Sequence, residues 1–279
     1  MRGVIEVFEL AKKLTIAANT SLRKDVLSLL RRAYSEESER KSRYFLKLII
    51  DNAETARKRK VPICQDTGLP VVFLEVGRNI SLNAYIVDAV RKGVLKGYEE
   101  AGLRASFVDA LNRGTPFYSV PFIHIEYRRD TEGLKITVLP KGFGSENKTR
   151  LKMLNPTATQ EEIEEFIVES VRIAGPDACP PFVVGVGIGG TSDYALLLAK
   201  KALLENLTTD NPQSSLKRWE KKILKKINSL RIGVMGLGGR YTSLAVRIKT
   251  APTHIAGLPV GINISCHALR SATGIIKVL

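Results

Sequence analysis

Cysteine and histidine are scarce in this 279-residue chain, three of each, and tryptophan occurs once. The cysteines, Cys64, Cys179 and Cys266, lie 115 and 87 residues apart, which excludes the dense disulfide framework of a small secreted domain and fits a reducing, cytoplasmic setting. No C-x-x-C pair occurs, so the closely spaced ligands of a structural zinc site are missing. Aromatic residues make up 6% of the chain and do not cluster beside its basic runs, which counts against a stacking platform for nucleic acid. No apolar run approaches the roughly 20 residues that cross a bilayer. Glu6 and Glu9 interrupt the N-terminal stretch where a signal peptide needs unbroken apolar residues, so no membrane association is expected.

What is present is a hydrophobic content of 44%, enough for a full core, and a formal charge of +15. That charge suits nucleic acid, an acidic protein surface or a small polyanionic substrate. The chain is expected to form one domain over 1–279, of α/β (α+β) class, with a helical region over about 1–60 ahead of a sheet-containing body. Helical spacing predicts helices over about 82–100, 160–174 and 216–227, and apolar runs predict strands at Leu69–Val76, Phe182–Ile188, Leu244–Ile248 and Leu258–Ile264. Two alternating runs, Val120–Tyr127 and Leu134–Leu139, are joined by a turn-forming segment and read as a hairpin. Thr191 or Ser192 is placed to cap a helix running to about Leu204, whose N–H groups would welcome an anion.

Cys64 opens a Cys-Gln-Asp-Thr-Gly turn, Cys179 precedes a Pro-Pro pair and Cys266 follows an apolar run, so all three sit in loop-like surroundings. Singly, each reads as a small buried hydrophobe. Together, on rigid loops, they read as ligands of a cofactor with an open coordination position. A four-iron cluster normally takes four cysteines; with three, one iron keeps a free position and acts as a Lewis acid on substrate oxygen. Asp66 alone reads as the brace of the turn that Gly68 closes, and Arg104 alone as a surface charge. His124, between two isoleucines in a strand, reads as structural, whereas His254, in a Pro-Thr-His loop, is a candidate for substrate contact or proton transfer. For His267, beside Cys266, a supporting role and a surface role are equally open. Glycine-rich turns at Lys141–Lys148, Gly187–Gly190 and Gly236–Gly239 read singly as connections and in combination as backbone N–H groups for carboxylates. The basic runs are Arg57–Lys60 and Lys217–Lys226; Trp219, Ile223 and Ile227 interrupt the second at helical spacing, so it reads as a solvated helix face.

Six segments, VPICQDTGLP, GLRASFVDALNRGTP, PKGFGSENKTRLKMLNP, CPPFVVGVGIGGTSDYALLLAKKALL, GVMGLGGRYTSLAVRIKTAPTH and LPVGINISC, run in order from Val61 to Cys266. This set resembles the alpha subunit of a two-subunit class I fumarate hydratase, the oxygen-sensitive iron–sulfur type, and its relative L-tartrate dehydratase. The resemblance implies that Cys64, Cys179 and Cys266 hold a [4Fe-4S] cluster whose fourth iron binds the substrate. It implies Gln65 and Asp66 beside that substrate, with Asp66 moving a proton to the departing hydroxyl. Arg104 is implied to grip a carboxylate, Gly142 to Gly144 to offer backbone N–H groups, and His254 to lie near the bound acid. The implied reaction interconverts (S)-malate and fumarate, a step of the tricarboxylic acid cycle, with L-tartrate or mesaconate chemistry as alternatives. One-chain members carry the remaining contacts on a C-terminal domain. This chain stops at Leu279, so a beta subunit is expected as an obligate partner, with a small dicarboxylate as substrate. The stretch Asp109–Ser119 looks shortened against the longer polar loop usual there. An iron–sulfur scaffold or sensor, needing only the cysteines, and a basic nucleic-acid-binding protein, indifferent to them, are the competing classes.

Overall fold

The structure, a computed structural model, describes residues 2–277. In chain order the elements are α1 (Arg2–Thr20), α2 (Lys24–Glu36), α3 (Arg40–Arg59), β1 (Leu69–Gly77), α4 (Ala84–Glu100), β2 (Phe122–Arg128), β3 (Leu134–Lys141), the short α5 (Phe143–Glu146), β4 (Arg150–Leu154), α6 (Gln160–Ala174), β5 (Phe182–Gly190), α7 (Ser192–Ala202), α8 (Ser214–Asn228), β6 (Ser243–Thr253), β7 (Leu258–Ser265) and β8 (Ala272–Ile276). This is an α/β protein. Among the described residues no helix is long and apolar enough to cross a membrane. The longer helices start where local chemistry tells them to. Asn83 Oδ1 accepts from Ile86 N at 3.1 Å to open α4, and Thr159 and Glu162 form a reciprocal capping box at α6. Arg57, Lys58 and Arg59 occupy the last turn of α3, where cations complement the helix dipole.

The backbone divides into two compact units. One comprises Met1–Arg23, Ala53–Gly142 and Arg270–Leu279; the other comprises Lys24–Asn52 and Phe143–Leu269.

The first unit is built on a four-stranded sheet in the order β2-β1-β3-β8. Strand β1 runs parallel to β2 and antiparallel to β3, which pairs antiparallel with β8. The runs read as a hairpin therefore do not pair: β1 lies between β2 and β3. The physical reason is burial. Seven of the nine residues of β1 are buried, so it needs a partner on both edges, whereas β2 has only exposed and half-buried positions and suits an edge. Helices α1 and α4 pack with the sheet around Val7, Ala11, Val72, Leu74, Val90, Val94, Leu134 and Ile136. Glycine lets the two helices approach closely, since a Cβ at Gly93 would lie 2.9 Å from Ala11 Cβ and one at Gly97 2.8 Å from Thr15 Cβ.

In the second unit the sheet order is β4-β7-β5-β6, with β5 parallel to β6 and antiparallel to β7. Side chains of Phe182, Val184, Val186 and Ile188 in β5 join a core with Phe166 and Ile167 of α6 and Ile223 and Ile227 of α8. Gly185 and Gly187, at the intervening positions of the strand, face α7. A Cβ at Gly187 would lie 2.6 Å from the backbone nitrogen of Ala199, so the helix sits directly on the strand backbone. Gly187 is thus a packing residue inside β5, and the reading of 187–190 as a turn gives way to a strand that runs to Gly190.

Candidate active site

The first unit holds Cys64, Gln65, Asp66, Arg104 and Gly142, and the second holds Cys179, Cys266, His254 and Gly144. All three cysteines are half-buried thiols, unlike the fully enclosed cysteine of an apolar core.

In the first unit the Cys64–Gly68 turn is pinned from several sides. Asp66 Oδ1 accepts from Gly68 N at 2.9 Å, the expected brace. Gly68 has φ +72° and lies against the backbone of Pro140 and Lys141, where a Cβ would come within 2.8 Å, so only glycine fits. Thr67, buried, receives the backbone N–H of Arg104 on its hydroxyl at 3.1 Å, and this bond sets the Arg104 loop beside the turn. The Tyr98 hydroxyl lies 3.0 Å from both Thr67 O and Gly68 O, and burial holds its pKa well above the ordinary phenol range, so it stays a donor. Arg270 donates from Nη2 to the backbone oxygen of Asp66. The second carboxylate oxygen, Oδ2, faces Gly142, where a Cβ would stand 3.1 Å away. Gln65 and Arg104 are exposed. The unit thereby brings Asp66, Arg104 and Gly142 to the turn that bears Cys64. Within Asp109–Ser119, Asp109 Oδ1 accepts from the amides of Leu111 and Asn112 at 3.0 and 2.7 Å, so this stretch closes on itself.

In the second unit Cys179 ends a 3-10 turn, Gly175–Ala178, with φ 54° and ψ 69°. A non-glycine residue in that left-handed region costs on the order of 1–3 kcal/mol and is held there by its surroundings. Pro180 and Pro181 follow, joined by a cis bond. His267 anchors the Cys179 and Cys266 loops to each other: its backbone N–H reaches Cys179 O at 3.3 Å and its ring Nδ1 lies 3.1 Å from the same oxygen. A carbonyl only accepts, so Nδ1 carries the proton. His267 thus ties the two cysteine-bearing loops together. Lys148 bridges to Asp177 at 3.0 Å, tying the segment after α5 to the cysteine turn. His254 lies in an exposed turn of its own, where Nδ1 accepts from Ala256 N at 3.2 Å and places the neutral imidazole's proton on Nε2.

Several features singled out in the sequence have structural duties. His124 stacks on Phe73, its register partner, at 5.2 Å. Thr191 sits at the N-cap of α7 without capping it; its side chain bonds to Asp193, whose carboxylate already lies in the first turn and is held below its usual pKa. That helix end is therefore supplied with its own anion. The Gly236–Gly239 turn is fastened by Ser42, whose hydroxyl donates to Gly238 O at 2.5 Å, and by Glu37, which accepts from Arg240 N at 2.8 Å. The lysines of α8 face carboxylates: Lys217 and Lys221 reach Asp210 at 2.6 and 3.0 Å, and Lys222 and Lys226 reach the fully buried Glu164 at 2.9 and 2.5 Å. Among the described residues, no group of three or more His, Cys, Asp or Glu side chains is gathered as a site for a single metal ion.

The structure thus shows half-buried thiols on strained or stapled loops, with carboxylate, arginine and glycine backbone beside Cys64 in the first unit. Over residues 8–275 the chain matches the family model of fumarate hydratase (Fumerase). It is 46% identical over 263 residues to a Methanocaldococcus jannaschii protein named "Putative L(+)-tartrate dehydratase subunit alpha", covering 92% of each chain. It is also 28% identical over 276 residues to the L(+)-tartrate dehydratase subunit alpha of Escherichia coli K12, covering 98% of this chain and 91% of that one. The chain belongs to the fumarate hydratase (Fumerase) family, whose members are hydro-lyases.

Proposed function

We propose that this chain is the alpha subunit of a cytoplasmic [4Fe-4S] hydro-lyase that interconverts (S)-malate and fumarate together with a beta subunit. The observation that carries this reading is the set of three half-buried thiols, Cys64, Cys179 and Cys266, inside the stretch matched to fumarate hydratase. The donor set suits the cluster. Each cysteine of such a cluster ligates a different iron, so the thiols need not converge on one centre as the ligands of a lone ion do. When bound, the cluster supplies a Lewis-acidic iron for the leaving hydroxyl.

The chain's own residues supply the rest. The planar guanidinium of Arg104 pairs with a substrate carboxylate, and the amide of Gln65 hydrogen-bonds beside it. Backbone N–H groups at Gly142 and Gly144 accept the approach of carboxylate oxygens because no side chain screens them. Asp66, braced at Oδ1 by Gly68 N, delivers a proton to the departing hydroxyl. His254 presents Nε2–H to the diacid. General acid and base groups of this kind contribute about 100- to 10,000-fold. The base that removes the carbon-bound proton is assigned to the beta subunit.

L-tartrate dehydration is the second reading, favoured by the names of the relatives at 46% and 28% identity. The test is anaerobic reconstitution with iron and sulfide, with and without the candidate beta subunit, scoring fumarate formation from malate and oxaloacetate formation from L-tartrate. Activity with malate in the mixture alone, lost in Cys64→Ala, is expected. Preference for L-tartrate would install the second reading. Failure to bind iron would overturn the cluster assignment, and activity that survives Asp66→Ala and Arg104→Ala would remove the roles given to those residues.

A further inference from the structure

Arg270 is a buried cation that the machinery above leaves without a role. Its side chain is 3% exposed, and its Nε has no hydrogen-bond partner among the described residues. Its Nη2 donates to the main-chain oxygen of Asp66, and no carboxylate among the described residues forms an ion pair with it. Enclosing a guanidinium with so little compensation is costly, and a core position that only needed filling would be better served by an apolar side chain of similar volume.

The placement of that charge is specific. Asp66, Thr67 and Gly68 are consecutive, and the backbone oxygens of all three are bound by two buried side chains, the first by Arg270 and the other two by Tyr98. With the carbonyls so held, the peptide planes that follow Asp66, Thr67 and Gly68 lose their freedom to rotate. The carboxylate then has one oxygen on Gly68 N and the other beside Gly142.

We propose that Arg270 is a positioning residue for Asp66: with Tyr98 it fixes the peptide planes of residues 66–68 and so the direction in which the Asp66 carboxylate meets the substrate. The inference rests on the hydro-lyase reading for its effect on turnover, but its structural half stands without it. Arginine suits the task because a planar donor directs its N–H groups, whereas lysine offers a swivelling point charge.

The test compares Arg270→Met, Arg270→Lys and Tyr98→Phe in the full chain. Amide hydrogen exchange needs no activity. In Arg270→Met the amides of residues 64–68 are expected to exchange about tenfold faster, the loss of one charge-assisted bond, while those of β5 and β7 keep their rates. Arg270→Lys is expected to fall between. In the reconstituted enzyme, Arg270→Met is expected to lower kcat by about 100-fold with KM nearly unchanged and the iron and sulfide content intact, the mark of a misdirected acid. Arg270→Lys restores part of that loss. Wild-type exchange at 64–68 overturns the proposal, as does a rise in KM alone, which would make Arg270 a substrate contact. A kcat loss that arrives with faster exchange throughout the unit, and that lysine does not rescue, reduces Arg270 to a general structural role. Should Arg270→Met not fold, Arg270→Lys and Tyr98→Phe decide by the same exchange measurement. If the wild-type chain turns over no hydroxy diacid, the hydro-lyase reading fails while the exchange experiment still decides the positioning role.

Discussion

Asp66 and its neighbours divide labour atom by atom, and each contact can be removed singly. A methyl group at position 142 would stand 3.1 Å from Asp66 Oδ2, close enough to push the carboxylate aside. Gly142→Ala is therefore expected to reduce turnover by about tenfold while leaving the urea unfolding midpoint nearly unchanged, as a small misplacement of a reacting group does. Thr67→Val keeps the volume and removes the hydroxyl that receives Arg104 N. It is expected to cost about 1–3 kcal/mol in urea unfolding and to raise KM for the diacid, because the Arg104 loop loses its tether. Cys64 and Cys179 drew notice in the sequence by their loop surroundings, and Asp66 and Arg104 gained proposed roles only through the family resemblance. Tyr98 and Arg270 were not legible there, since their partners lie 30 and 204 positions away and nothing local marks them.

Elements show the same division between what periodicity reveals and what pairing decides. Helices α4, α6 and α8 stand where the spacing of apolar residues puts them, because each buries one stripe. Strands β4 and β8 escaped notice. Both are five-residue edge strands, β4 exposed at its three central positions and β8 at alternate ones, and neither has an apolar run to announce it. The β2/β3 pairing was misread for a related reason: turn chemistry between two strands says nothing about a third strand that separates them. The glycines of β5 follow from α7, and Gly187→Ala is expected to destabilise the fold by about 3 kcal/mol in urea, because the new Cβ meets helix backbone that cannot move aside. Glu164 joins α6 to α8 through Lys222, Lys226 and the indole N–H of Trp219. Burial pushes its pKa up, but these three donors outweigh it and the net shift is downward. A carboxyl whose folded pKa is depressed stabilises fully above its unfolded value of about 4.3, and that contribution is lost as pH falls through the lower folded value. Glu164→Gln is thus expected to be less stable than wild type at pH 7 by about 3 kcal/mol, with the gap closing on acidification below about pH 4. A gap that persisted unchanged at low pH would remove the ionic account.

For the whole molecule, the charge of +15 is the excess of 43 basic over 28 acidic side chains, and α8 does not carry it as a bare basic face. Lysines of α8 are engaged by Asp210 and Glu164, while Arg57, Lys58 and Arg59 at the end of α3 stay exposed. Retention of duplex DNA or single-stranded RNA at physiological salt is accordingly expected to be weak and indifferent to sequence, measured by fluorescence anisotropy across a salt series. Tight binding there would favour the nucleic-acid class over the enzyme.

The interleaving of the two units has a consequence for the order in which the chain takes shape. Every residue assigned to the second unit has been synthesised by Leu269, whereas the first unit's sheet still lacks β8, which pairs along β3 from Leu134 to Val138. Residues 134–138 thus wait, one edge unsatisfied, while more than a hundred further positions leave the ribosome. The nascent chain consequently matures from its middle outward, and β3 is the edge that a chaperone or a neighbouring nascent chain would meet before β8 arrives.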